Sequence, residues 1–429
     1  MAVDFYTIPQ QMTLVFASLF SGLASLLGSL TIIYIISRDH HEKLKLVYHR
    51  ILFALSISDC VASLNFAFSF LAVPEGHFWG AQGSTASCEA SGLLNTFFAA
   101  QILYNVGLAV YYLLIVRYGK TQEFVGRYVE PYIHILSLTI PMAVSLWAFF
   151  TSALNPLIFL GGWCGFAKYP PLCDAAAGEC SRGFTDRVIS FVIYLGVLFP
   201  SFIAIASIMF MIMCHVRGRI AAVVRYRTRP RLDQTARQTL AQSMLYITAS
   251  LLPNGLLLVN HLFNFVFPTR QETVRFVLSF LVKLILPLQG LFNLIIYVRP
   301  RYIALRHKSG DSVSFFSLLS EIVVGAKSRP IEAVEDQLAV DFAPRPIEAV
   351  EDQLAHDFAP RPIEAVEDQL AHDFAPELAV PRSDKFNNRR ESNSSDIDED
   401  LFPSTQNVEN VCPDTENGNL IEIIPDISR

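Results

Sequence analysis

The chain has 429 residues, of which 52% are hydrophobic and only 17% charged, and its mean hydropathy is +0.38. A soluble domain carries about a quarter charged residues, so this composition excludes an ordinary water-soluble globule. The formal net charge of −6 joins two unlike parts: from Ser309 onward there are nine basic and twenty-six acidic residues, which leaves the remainder positive.

A short segment, residues 1–11, precedes the first apolar block, Met12–Ser37. That block is too long for a signal-peptide core and has no basic leader, so it reads as a retained helix. Further blocks follow at Tyr48–Val73, Ser91–Val116, Tyr132–Leu154, Val188–Cys214, Thr239–Phe265 and Thr273–Val298. Each is long enough to cross a bilayer as α-helix. The spacing predicts an all-α membrane protein, a seven-transmembrane helix bundle over residues 12–308 with a disordered acidic cytoplasmic tail over 309–429. The lipid bilayer is therefore its first partner.

Orientation follows from the loops. Arg38, Lys43, Lys45 and Arg50 follow the first block, Arg117, Lys120 and Arg127 the third, Arg217 to Arg237 the fifth, and Arg299 to Lys308 the seventh. The alternate loops hold only Lys168, Arg182, Arg187 and Arg270. Positive charge gathers on the cytoplasmic side, so the N-terminus lies outside. Cys88, Cys164, Cys173 and Cys180 then fall on the oxidising side and allow three pairings, of which Cys88–Cys164 with Cys173–Cys180 is preferred. Cys60, Cys214 and Cys412 are expected to be reduced.

Polar groups inside the spans must face the bundle interior. Asp59, Gln289 and Asn293 are expected to form a junction, bridged by water, that two helix arrangements satisfy differently. Tyr297 lies one turn beyond Asn293, and Pro253 permits a kink in the sixth helix. The competing reading makes these groups plain interhelical glue. Towards the outside, Gln101, Tyr104, Asn105, Asn260, His261 and Lys283 are candidates to contact a ligand. Lys283 either snorkels to the headgroups, pairs with an acid such as Glu89 or Asp186, or meets an anion. A lysine in the last span also raises a retinal photoreceptor as an alternative, and a transporter or channel as another. The third block offers no acid as a Schiff-base counter-ion, and no inverted repeat is present.

No P-loop, G-x-S-x-G, H-E-x-x-H or metal-spaced cysteine–histidine cluster occurs, so no catalytic residue, metal site or cofactor is assigned and no enzyme or nucleic-acid binder is expected. In the tail "RPIEAVEDQLAVDFAP" at Arg329 recurs with one change at Arg345 and Arg361, a period of 16 over residues 329–376, giving short acidic amphipathic segments that a partner such as an adaptor could bind. Ser392, Ser394 and Ser395 lie beside acids and are candidate phosphorylation sites for a kinase.

Several patterns together resemble those of G-protein-coupled receptors. "ALSISD", ending at Asp59, is similar to the L-x-x-x-D of rhodopsin-like receptors, and "NLIIY" has their N-P-x-x-Y spacing with Leu294 in place of proline. "PLQG" with the following "RP", and "GGWCGF" around Trp163 and Cys164, resemble the cyclic-AMP-receptor-like family and its secretin-like relatives. The resemblance covers about residues 12–305. It implies a receptor in the plasma membrane that binds an external small molecule or peptide, or a cyclic-nucleotide-like anion, and activates a heterotrimeric G protein. The G-protein-facing residues would be Arg117, Tyr118, Arg219, Arg225 and Arg227. Val116 stands where the rhodopsin-like pattern has an acid, and Ser29 is the nearest polar residue where the first helix would have asparagine.

Overall fold

The computed structural model describes residues 6–170, 173, 180–184, 188, 194–226, 230–266 and 272–309. All of them belong to one compact unit, Met1–Pro344. Among the described residues seven helices are long and apolar enough to cross a membrane, and the protein is a multi-pass membrane protein. The tail repeats and Ser392, Ser394 and Ser395 lie outside the described residues.

The first helix is Ile8–Arg38, the second Val47–Ala72, the third Thr85–Tyr112 with a π-helical turn to Arg117, and the fourth Glu130–Phe150. The fifth is Phe199–Tyr226 after a π-helical turn at Tyr194–Leu198, and the sixth is Pro230–Val266, unbroken at Pro253. The seventh runs Glu272–Ile285, tightens into a 3-10 turn at Leu286–Leu288, and resumes at Gln289–Ser309. The third helix begins six residues before Ser91 because Ser84 caps it. Its hydroxyl accepts from the Ser87 N–H at 3.3 Å while Ser87 Oγ accepts from the Ser84 N–H at 2.7 Å.

The fourth helix does not reach Leu154, as the apolar run predicted. It stops at Phe150, and Leu154–Leu157 forms strand β1, paired antiparallel with β2, Trp163–Phe166. A short apolar run does not distinguish a buried strand from a helix end. Gly161 and Gly162, both at φ +79°, turn the chain between the strands, a backbone that side chains other than glycine rarely adopt. The hairpin is fastened to the third helix by the Cys88–Cys164 disulfide and by Asn95 Nδ2, which donates to the Cys164 carbonyl at 2.7 Å. Cys173 pairs with Cys180, as preferred from the sequence. Cys60 is free, as expected, and Cys412 lies outside the described residues.

The helices close into a ring: the first packs on the second and seventh, the third on the second, fourth and fifth, and the sixth on the fifth and seventh. The proline of the 3-10 turn explains the seam between the first and seventh. Pro287 has no N–H to give the Lys283 carbonyl one turn before it. Ser21 Oγ of the first helix donates to that carbonyl instead, at 2.9 Å. One turn on, Ser25 Oγ accepts from the Gly290 N–H at 2.9 Å, supplying a partner where the helix restarts. Such seams need small residues. A Cβ added at Gly28 would lie 2.8 Å from the Gly290 carbonyl oxygen.

Candidate functional site

Lys283 is 1% exposed, which removes the snorkelling reading. Its Nζ lies 4.1 Å from the centre of the Trp163 ring, brought there by β2. The turn of the hairpin rests on its stem, since a Cβ at Gly161 would lie 3.0 Å from both Lys283 Cε and Leu14 Cδ1. Trp163 is itself fixed: its Nε1 donates to Ser18 Oγ at 3.3 Å, and its ring lies 4.7 Å from that of Phe66. Glu89, an expected partner, is instead paired with Arg182, and Asp186 lies outside the described residues. Among the described residues no carboxylate faces Lys283, so nothing there supplies the counter-ion that a retinal Schiff base requires. Burying a lone ammonium is costly, and the aromatic face offsets only about 2 kcal/mol of it.

The other ligand candidates do not converge on this lysine. Gln101 and Asn105 are buried mid-bundle on the third helix, where Asn105 Nδ2 donates to the Gln101 carbonyl at 3.1 Å. Asn105 lines a cavity of about 10 Å³, room for one water, together with Tyr112, Met209, Tyr246 and Ser250. Tyr104 points the other way, into the cluster with Ile51, Ile133 and Tyr297, and its hydroxyl lies 3.2 Å from His134 Nδ1 on the fourth helix. Asn260 is fully buried and His261 half-buried, one turn above Leu257, which belongs to the cluster around Trp163.

Another fully buried ionisable side chain is Asp59. Asn293 Nδ2 donates to its Oδ2 at 2.8 Å, a direct bond where the sequence suggested a water bridge. Gln289 Nε2 reaches Asn293 Oδ1 at 3.5 Å, so one turn of the seventh helix lines up on the acid. Asp59 Oδ1 and Ser29 Oγ are buried without a hydrogen-bond partner among the described residues. Ser63 Oγ, one turn beyond Asp59, donates to Ser25 Oγ at 2.9 Å and draws the first helix into the same junction. Tyr297 is buried below, with its ring 5.9 Å from His49.

On the cytoplasmic side Arg117 stacks over the exposed ring of Tyr118 at 5.8 Å and has no carboxylate partner among the described residues. The side chains of Arg219 and Arg225, and all of Arg227, lie outside the described residues. Two contacts there carry no motif. Arg50 meets Glu130 in a two-pronged pair, Nε to Oε1 at 2.6 Å and Nη2 to Oε2 at 2.5 Å, tying the second helix to the fourth. Tyr48 and Tyr246 share a hydroxyl–hydroxyl hydrogen bond at 2.6 Å between the second and sixth helices. Arg50 counted only as topology-setting charge in the sequence; the acid at the head of the fourth block was the available signal for a partner.

No protein-family model and no curated protein matches the chain. Among solved structures, squid rhodopsin is similar at 14% identity over 78% of this chain and 92% of that one, with a TM-score of 0.48.

Proposed function

We propose that the protein is a seven-helix receptor in which an extracellular ligand with an anionic group meets Lys283 and an activated bundle engages a heterotrimeric G protein in the cytoplasm. The observation that carries this reading is Lys283 itself, buried under a disulfide-fastened hairpin with a ring as its partner and no acid facing it among the described residues. Intramembrane ionisable groups mark substrate or signal pathways. An incoming carboxylate or phosphate would replace a cation–π contact with an ion pair and gain affinity from the difference.

The Asp59–Asn293 junction and the Tyr48–Tyr246 bond supply groups that a second helix arrangement would pair differently, which is what a ligand needs in order to shift a population. A cyclic nucleotide is the first ligand to test, on the resemblance in "PLQG" and "GGWCGF". The plasma membrane is the proposed location. The acidic tail would be the substrate of a kinase at Ser392, Ser394 and Ser395.

The test is guanine-nucleotide exchange on an added heterotrimer, using membranes that hold the native chain, Lys283→Gln, or the triple variant Arg219→Gln, Arg225→Gln, Arg227→Gln. The native chain should accelerate exchange with cyclic AMP or another small anion, Lys283→Gln should lose the ligand response, and the triple variant should lose exchange altogether. A ligand response of equal size in Lys283→Gln would sink the assignment of the site.

A further inference from the structure

We propose that the second cytoplasmic loop carries a binding site for an anionic phospholipid of the inner leaflet. The headgroup lies between Lys120 and Arg127, and the acyl chains follow Tyr128, Tyr132 and Leu136 along the fourth helix. Such a site needs only that the helices span a bilayer, so it stands independently of the receptor reading.

The loop between the third and fourth spans folds into a short helix, Gln122–Tyr128, capped by Thr121 Oγ1, which accepts from the Phe124 N–H at 3.2 Å. Val129 keeps helical backbone at φ −114° and ψ −45°, so loop helix and fourth helix continue as one span, Gln122–Phe150. It is the span least buried by its neighbours. Phe124, Tyr128, Tyr132 and Leu136 recur every four residues and are all exposed, at 38%, 54%, 65% and 50%. Outward from the middle of the membrane, this face passes from aliphatic chains to rings and then to charge. That is the order of a bilayer's own inner boundary, where aromatic side chains sit at the headgroups and cations beyond them.

The cations are held over the rings. Lys120 Nζ lies 5.1 Å from the centre of the Phe124 ring, Phe124 lies 5.2 Å from Tyr128, and the Arg127 guanidinium lies 5.6 Å from the Tyr128 ring. Cation, ring, ring and cation thus form one continuous run. Lys120 and Arg127 are both exposed. Glu123 stands one turn before Arg127, a spacing that suits an ion pair. Even so, among the described residues no carboxylate pairs with Arg127 or with Lys120.

The back of the loop helix is fixed. Val125 is fully buried, and a Cβ at Gly126 would lie 3.0 Å from Arg50 Nη2, the guanidinium that holds Glu130. The exposed face is therefore presented ready-made, which lowers the ordering cost of binding. A lipid phosphate or carboxylate arriving there gains charge-assisted contacts, and acyl chains covering the rings strip water from the cation–π pairs and strengthen them. A zwitterionic headgroup brings an ammonium that both cations repel, so the face selects net negative charge.

The experiment uses the full chain purified in detergent with equal amounts of phosphatidylserine and phosphatidylcholine, and counts retained lipids by native mass spectrometry. The native chain should retain phosphatidylserine over phosphatidylcholine by roughly tenfold, and Lys120→Gln with Arg127→Gln should bring the ratio to about parity. Lys120→Arg with Arg127→Lys should keep the preference. Arg117→Gln removes a cation of the same loop that stacks on Tyr118 instead, and should leave the ratio within about twofold of native. Tyr128→Ala should lower retention of both lipids.

A ratio unchanged in the double glutamine variant would overturn the site, as would an equal fall in Arg117→Gln, which would mean diffuse attraction to a basic loop. Unchanged retention in Tyr128→Ala would overturn the seating of the chains along the fourth helix. A double variant that keeps its lipid ratio but loses nucleotide exchange on an added heterotrimer would assign the face to a protein partner and overturn the lipid. Should the double variant fail to fold, the two single glutamine variants decide, each expected to lower the ratio roughly threefold.

Discussion

Asp59 on the second helix and Lys283 on the seventh are both 1% exposed, yet the first accepts a hydrogen bond from a side chain of a neighbouring helix and the second lies against the face of a ring. Around Asp59 the polar groups belong to the helices themselves: Asn293 bonds the acid, Gln289 bonds Asn293, and Ser25 of the first helix bonds Ser63 and Gly290 nearby. Around Lys283 they belong to a loop, since Trp163 and Gly161 arrive on the hairpin. The inner group is thus part of how the bundle is built, whereas the outer one is covered by a hairpin. The two centres differ less in burial than in what does the covering.

The largest way to break that contrast is to unfasten the cover. Cys164→Ser removes a disulfide that closes a loop of 76 residues. It should cost about 2–4 kcal/mol, read as a lower thermal midpoint of the purified protein, and should expose Trp163 to a fluorescence quencher. Asp59→Ala is the next largest. It leaves Asn293 without its acceptor and should destabilise by about 1–2 kcal/mol, an effect that Asp59→Asn should soften in the same melting experiment. Lys283→Met should move the midpoint the other way, upwards by about 1 kcal/mol, because an apolar chain of similar length meets Trp163 without desolvating a charge. Opposite signs for the Asp59 and Lys283 variants sharpen the comparison, and equal losses in both would erase it.

How far the sequence revealed these centres depended on where each partner came from. The seven spans were legible because roughly 20 apolar residues are a bilayer's length, and their ends were not, because Ser84 and Gln10 set caps that hydropathy ignores. Asp59 with Asn293 was legible because an acid and an amide inside lipid must find partners. Lys283 was visible as an anomaly, but its partner was not. Trp163 reaches it only because Leu154–Leu157 is a strand and Gly161 turns left-handed, and an apolar run does not show that. The serines of the first helix were hidden for a different reason. Ser21 answers an acceptor left over by Pro287, so its role is written 266 positions away in a proline that lacks a hydrogen.

That seam has a consequence for how the chain is made. The Ser25–Gly290 bond joins residues 265 apart, so the first helix enters the bilayer long before its partner exists. At about 5–20 residues per second the wait is on the order of 15–50 s of synthesis. During that time Ser18, Ser21, Ser25 and Ser29 present a hydroxyl stripe to whatever is nearby, and the second helix, which takes the Ser18 hydroxyl at its Phe66 carbonyl, is the first neighbour able to receive it. The last helix to emerge is therefore the one that completes the first, and a nascent chain cut short before Gly290 would carry an unmet polar edge by which quality control could recognise it as unfinished.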